Sequence, residues 1–255
     1  MIKNRLRTVL MILFAAIFIF CIVRLVMIRV QYEQGNEIYS SAVDHYVSSI
    51  PETADVPEPA SNTIPDLGID FEALKSVNED IIGWIWIPGT EVNYPLLKGD
   101  DNTKYLETTF DGEKSIFGSI FMDYRCSSDF SDRNTVIYGH NMKNNSMFGS
   151  LSDYSDPDYN KLHHSVYIFT PENSYRYDIV SSYKTKINTK SYINQFRSDE
   201  SFMEFLQFIL ESSKGIDTAN AQLEASDKIL TLSTCVDSGA RNYRYVLHAV
   251  LSVTE

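Results

Sequence analysis

Three side chains in this sequence have the types and spacing for acyl transfer: the thiol of Cys235, the imidazole of His140 and the guanidinium of Arg244. A cysteine nucleophile needs a neighbouring acid or base and donors that hold an oxyanion. Cys235 closes the run Lys228-Ile-Leu-Thr-Leu-Ser-Thr-Cys235, whose β-branched and leucine residues read as a strand. Arg244 opens a second strand-like run that reaches Thr254. The thiol at one strand's end and the guanidinium at the next strand's start could face one pocket across a hairpin loop. His140 follows Asn134-Thr-Val-Ile-Tyr138, turns at Gly139 and continues into Asn141-Met142. A strand-end histidine beside a glycine can present its ring to a cleft, and histidine is the commonest general acid–base.

Each residue also has a plainer reading. Buried free cysteine is common as a small hydrophobe. A lone arginine is most often a surface or ion-pair residue, Arg241 competes with Arg244, and Asp237 could orient a histidine in a Cys–His–Asp set. A Cys126–Cys235 disulfide would silence the nucleophile, so the two readings exclude each other. Of the other histidines, His45 precedes a linker, His163 and His164 end a surface helix and read as solvent-facing, and His248 reads as an ordinary strand histidine. The sequence has no glycine-rich phosphate loop, metal-ligand spacing or internal repeat.

The elements that must position these groups begin after an unusual N-terminus. Lys3, Arg5 and Arg7 precede a 21-residue apolar span, Thr8 to Ile28, interrupted only by Arg24. That length crosses a bilayer, and Arg24 lies close enough to one end to snorkel. The early basic residues favour a cytoplasmic N-terminus. The run is longer than a signal-peptide core and lacks a small-x-small cleavage site, so it reads as an uncleaved anchor over 8–30, after a cytoplasmic 1–7. Residues 31–50 carry a loose helical stripe. Residues 51–66 hold four prolines and four acidic residues, a composition for a semi-rigid linker. The segment 31–66 therefore reads as a stalk and 67–255 as the folded domain. The first 30 residues carry five basic and no acidic side chains, leaving 17 basic against 34 acidic in the rest. Such a surface disfavours nucleic acid as a partner and keeps the domain soluble.

Strand patterns cover 81–87, 92–97, 117–123, 134–139, 165–170, 174–185, 228–234 and 244–253. Helical patterns cover 71–78, 147–151, 158–162 and, with Phe202, Phe205, Leu206 and Ile209 on one face, 201–210. The reading is a mostly β domain with helical insertions, folded as a closed eight-stranded β-barrel.

Thr231-Leu-Ser-Thr-Cys235, Tyr138-Gly-His140-Asn-Met142 and Arg244-Tyr-Val-Leu-His248 together resemble class B sortases, membrane-anchored cysteine transpeptidases of Gram-positive bacteria. Gly83-Trp-Ile-Trp-Ile-Pro88, Val92-Asn-Tyr-Pro-Leu-Leu97, Tyr105-Leu106 and Gly118-Ser-Ile-Phe-Met-Asp-Tyr-Arg125 extend the match in the family's order. The resemblance implies the sortase-type eight-stranded barrel, with the 201–213 helix as the class B insertion. It implies Cys235 as nucleophile, His140 as acid then base, and Arg244 as the oxyanion or substrate donor, in preference to Arg241 and without Asp237. It implies peptide contacts from Asn93, Leu97, Tyr192, Ile193 and Ser233, with plain core packing an equal reading for Leu97 and Ile193. The implied partners are the C-terminal sorting signal of secreted proteins and an amine of peptidoglycan or its precursor, with the catalytic domain on the extracellular face of the membrane. No metal or organic cofactor is implied. Two further readings remain at this point: a membrane-tethered β-barrel that only binds, with Cys235 structural, and a cysteine protease that uses water.

Overall fold

The computed structural model describes residues 2–51, 63–218, 221–235 and 242–255; of residues 2–4 and Cys235 only the backbone is described. The chain forms two compact units, Met1–Ser40 and Ser41–Glu255. Helix α1 runs without a break over Ile2–Tyr46. The apolar span and the looser stripe after it join because residues 31–46 contain no proline and a single glycine, Gly35. The helix contains a candidate membrane span, apolar and exposed throughout.

The second unit takes in residues 41–50, which composition assigns to the stalk. Backbone pairing holds them: Val47 bridges Ile69, Ser48 N donates to Leu67 O at 3.1 Å, and Asp70 N donates to Tyr46 O at 2.9 Å. Helix α2, Phe71–Val77, follows, and its N-cap is Asp70, which accepts from Ala73 N.

Eight strands close a barrel: β1 Ile81–Trp86, β2 Asn93–Leu97, β3 Ile120–Met122, β4 Asn134–Gly139, β5 Ser165–Phe169, β6 Ser174–Lys186, β7 Ile229–Cys235 and β8 Tyr243–Thr254. Their order around the barrel is β1-β2-β3-β4-β7-β8-β6-β5. Two neighbouring pairs are parallel, β2 with β3 and β4 with β7. The second parallel pair makes the site. Parallel strands need a long crossover, and here β5, β6 and the helices α3 (Pro157–Leu162) and α4 (Asp199–Ser212) all lie within it.

Helix α4 forms where its apolar period demands. Ser198 and Ser201 cap each other reciprocally, and Asp199 and Glu200 sit in the first turn, where the helix dipole favours negative charge. Phe202, Phe205, Leu206 and Ile209 are buried against Ile229, with Phe196 and Val250 packed alongside. Each of these large side chains contributes about 2 kcal/mol by leaving water.

The strand expected over 117–123 shortens to Ile120–Met122. Gly118 has φ +55°, and a Cβ there would lie 2.5 Å from Tyr105 O, so the chain turns before pairing starts. The helix expected at 147–151 is instead a 3-10 segment, Gly149–Ser155, because Met147 has φ 55°. His163 and His164 are half-buried rather than solvent-facing. His163 Nδ1 lies 2.8 Å from Pro88 O, and its ring lies 4.4 Å from that of Tyr159.

Candidate active site

The site grows from strand register. In the parallel β4–β7 ladder, Tyr138 pairs with Ser233 and Gly139 with Thr234. His140, next in line, leaves β4 at the level where Cys235 ends β7. In the antiparallel β7–β8 pair, Cys235 is the partner of Arg244. Two strand C-termini and one strand N-terminus therefore meet at one rim of the barrel. Neighbouring strands are about 4.8 Å apart, so the three Cα positions fall in one short row. The 236–241 segment, with Asp237 and Arg241, lies outside the described residues.

Gly139 cannot be another residue without rearrangement. A Cβ there would meet Ile120 Cδ1 at 2.5 Å and Phe148 Cδ2 at 2.7 Å. That close packing delivers His140 to the rim. His140 O accepts from Phe148 N at 2.9 Å, and Asn141 bridges Met147. His140 Nε2 donates to Leu106 O at 2.5 Å, since a carbonyl only accepts. This contact fixes the ring and, in its neutral form, leaves the lone pair on Nδ1. Arg244 Nη1 donates to Tyr243 O at 2.9 Å.

A cleft of about 690 Å³ opens over this row. That size suits a short peptide. His140, Arg244, Ser233 and Thr234 line it together with Tyr138, Phe121 and Arg125 from the β3–β4 side. Tyr192, Ile193, Asn194 and residues 187–189 from the β6–α4 connection form another wall. Tyr192 Oη and Ser233 Oγ are 3.0 Å apart. The Tyr192 and Tyr138 rings stack with centroids 6.4 Å apart. Thr234 Oγ1 is buried without a hydrogen-bond partner among the described residues, an unmet polar group at the wall.

Behind Tyr138 sits a charged cluster. Asp123, fully buried, receives Arg125 Nη2 at 2.7 Å and the Tyr138 hydroxyl at 2.8 Å. Burial opposes the Asp123 charge, yet hydrogen bonds from the Arg125 side chain and backbone and from the Tyr138 hydroxyl, with the Arg125 charge, together outweigh it and hold the carboxyl below its usual range. Burial, then the Asp123 charge, pushes the Tyr138 phenol well above its ordinary value, so Tyr138 stays a donor.

The peptide-contact candidates separate. Tyr192, Ile193 and Ser233 line the cleft, and Ile193 keeps 38% of its surface exposed. Asn93 and Leu97 do not line it. Asn93 Oδ1 accepts from Trp84 Nε1 at 2.6 Å, and Leu97 is fully buried in the barrel. On a strand buried along most of its length, Leu97 takes the core reading. Cys126 is free and buried, so it forms no bridge with Cys235. Its sulfur accepts from Val136 N at 3.5 Å and Asn194 Nδ2 at 3.6 Å. Residue-by-residue reading overlooked Tyr138 and Arg125 as cleft residues. Tyr138 lies two positions before His140, so strand alternation puts it on the same face and could have found it. Arg125 has no such local signal.

The model of the sortase domain family matches residues 85–252. Sortase B of Listeria monocytogenes is 37% identical over 166 residues, covering 65% of this chain and 67% of the relative. Sortase B of Staphylococcus aureus is 34% identical over 168 residues, covering 66% and 68%. Among solved structures, Bacillus anthracis sortase B in complex with AAEK1 superposes with TM-score 0.72 at 32% identity, over 87% of this chain and 98% of that one. The Staphylococcus aureus sortase B–substrate complex superposes with TM-score 0.67 at 33% identity, over 71% and 84%. With a closed eight-stranded barrel, a cleft over the rim where His140, Cys235 and Arg244 converge, and this breadth of matching, the chain belongs to the sortase family, in its class B, and is a cysteine transpeptidase.

Proposed function

We propose that this transpeptidase works on the C-terminal sorting signal of secreted proteins and passes the acyl group to an amine of the cell wall. In this reading the Cys235 thiolate attacks a peptide carbonyl. The C–N bond breaks, and His140, as imidazolium, gives its proton to the leaving amine. The acyl group is then held as a thioester. An incoming amine attacks it, His140 takes the amine's proton, and the C–S bond breaks to release a new amide and return the thiolate. Arg244 donates hydrogen bonds to the oxyanion of each tetrahedral intermediate or holds the peptide backbone. Tyr192, Ile193 and Ser233 contact the peptide.

The observation that carries this reading is the register row of His140, Cys235 and Arg244 under a peptide-sized cleft. Related structures support the two partners: Staphylococcus aureus sortase B was solved as a substrate complex, and a sortase B was solved with triglycine, an amine-bearing peptide. The proposal extends to the layout, with the apolar stretch of α1 as its support. Residues 1–7 stay in the cytoplasm, 8–30 cross the membrane, and 31–66 tether the catalytic domain 67–255 outside, with 41–50 packed on that domain.

The test uses the full chain in detergent, a panel of fluorogenic sorting-signal peptides and intact-mass analysis. The expected result is a thioacyl adduct on Cys235 that an added amine releases as an amide. A carboxylic acid product whatever amine is present would make the enzyme a water-using protease. No adduct and no cleavage, with Cys235 still open to alkylation, would favour a tethered binding module.

A further inference from the structure

His248 lies in the middle of β8, fully buried, and the reaction just described does not use it. Its two ring nitrogens are both engaged. Nδ1 is 2.9 Å from Thr231 Oγ1, and Nε2 is 3.0 Å from Tyr183 Oη. Each partner leads onward to the cleft wall. Thr231 Oγ1 donates to Asn134 Oδ1 at 2.6 Å, and Asn134 Nδ2 donates to Ile193 O at 2.8 Å. Tyr183 Oη is 2.9 Å from Ser191 Oγ, which is 3.0 Å from Thr189 Oγ1.

Both arms end on residues 189–193, the segment that presents Tyr192 and Ile193. Proton counting gives the circuit one direction. The Asn134 oxygen only accepts, so the Thr231 hydrogen is spent on it. Thr231 must then accept from His248 Nδ1–H. In neutral His248, Nε2 accepts from the Tyr183 hydroxyl. Tyr183 Oη in turn accepts from Ser191, and Ser191 from Thr189. Burial holds His248 neutral, with its pKa lowered to about 3, which is the state this order requires. The Tyr183 ring stacks on it at 5.4 Å and Phe205 meets it edge-on at 6.1 Å, so the ring is fixed by packing as well.

We infer that His248 is a positioning residue: the circuit through Thr231, Asn134, Tyr183 and Ser191 holds the Tyr192–Ile193 wall in place and thereby sets peptide affinity. Satisfied buried networks of this kind impose one arrangement on the groups they join. The inference rests on the reading of Tyr192 and Ile193 as peptide contacts.

Because His248→Ala opens a cavity in the core and risks unfolding the barrel, the test uses Tyr183→Phe and Thr231→Val, which remove one hydroxyl or its equivalent and keep the shape, with Thr231→Ser as the conservative rescue. In the full chain in detergent, three quantities are measured: amide hydrogen exchange, kinetics on the panel peptide cleaved fastest, and the rate of Cys235 alkylation by iodoacetamide. Tyr183→Phe and Thr231→Val should raise exchange over 187–195 at least tenfold while β1 and β5 stay protected. KM should rise at least fivefold with kcat and alkylation within twofold of wild type, and Thr231→Ser should restore KM. Unchanged exchange over 187–195 would overturn the inference whatever the peptides do, and raised exchange with unchanged KM would overturn its link to substrate. A uniform rise in exchange with a fall in kcat alone would reduce the circuit to general stability. A wild type that cleaves no peptide would sink the substrate reading instead, with exchange still deciding whether the circuit holds the wall.

Discussion

Tyr138 and Tyr192 stack on each other in the cleft, but the polar groups behind them differ in kind. Behind Tyr138 lies a charge pair, with the buried Asp123 carboxylate bound to a partly exposed Arg125. Behind the Tyr192 segment lies a circuit of neutral groups centred on His248. A charge pair tolerates solvent at one end and survives as long as the carboxyl stays ionised. A neutral circuit depends on every hydrogen pointing one way, and one added proton at His248 leaves two donors, Nε2–H and the Tyr183 hydroxyl, facing each other. The two supports of one cleft should therefore fail under different conditions.

Removing the rim groups leaves both supports standing and has the largest effect on catalysis. His140→Ala and Cys235→Ala should lower kcat/KM by about 10³-fold or more, and Arg244→Ala by about 10²-fold, with cooperative unfolding unchanged. Loss of cooperative unfolding in these variants would mean that the rim is structural. Asp123→Ala should cost about 2 kcal/mol in denaturant unfolding, because it removes the charge-assisted hydrogen bonds from the Tyr138 hydroxyl and from Arg125. A loss below about 1 kcal/mol would show that the charged support is not one.

The pH dependence separates the supports next. Folded His248 titrates near 3 against 6.5 for the free side chain. Below pH 6.5 the unfolded chain binds a proton that the folded chain refuses, so stability falls as pH falls, by up to about 1.4 kcal/mol per unit. Between pH 6.5 and 5 the loss should reach about 2 kcal/mol, and His248→Gln should flatten that stretch. Asp123 behaves differently. Its folded pKa is depressed below 3.8, so its contribution is present above that value and is lost only as pH falls through the folded pKa. A wild-type curve that is flat from pH 6.5 to 5 would remove the contrast. Smallest is Tyr183→Phe, which should cost about 1 kcal/mol by leaving the His248 acceptor unmet.

Much of the architecture was legible because it is local. Alternation marked β4, β7 and β8, and the 202, 205, 206, 209 spacing marked α4. The candidate membrane span showed as an apolar run broken only by Arg24. The gathering of His140, Cys235 and Arg244 was legible from ordered motifs, whereas the parallel β4–β7 register that brings their strand ends together is a long-range pairing with no local mark. Asn93 and Leu97 illustrate the limit of motif transfer here. One is spent on an indole and the other is sunk in the barrel, and both facts depend on which face of β2 looks inward. His248 read as an ordinary strand histidine because its partners Thr231 and Tyr183 come from two other strands, and the circuit beyond them runs on through β4 to the 189–193 segment.

The β4–β7 pairing has a consequence for the order in which the molecule comes together. Contacts between residues far apart in sequence carry a loop-closure cost and form late, so high contact order slows folding. Here the last of these contacts to be possible during synthesis are those that seat β7 beside β4 and β8 between β7 and β6. The imidazole is made early, but the strand ends that bring the thiol and the guanidinium beside it join only after the crossover has closed. A half-made chain thus has its apolar N-terminal helix and much of its barrel sequence while its reactive centre is still unassembled.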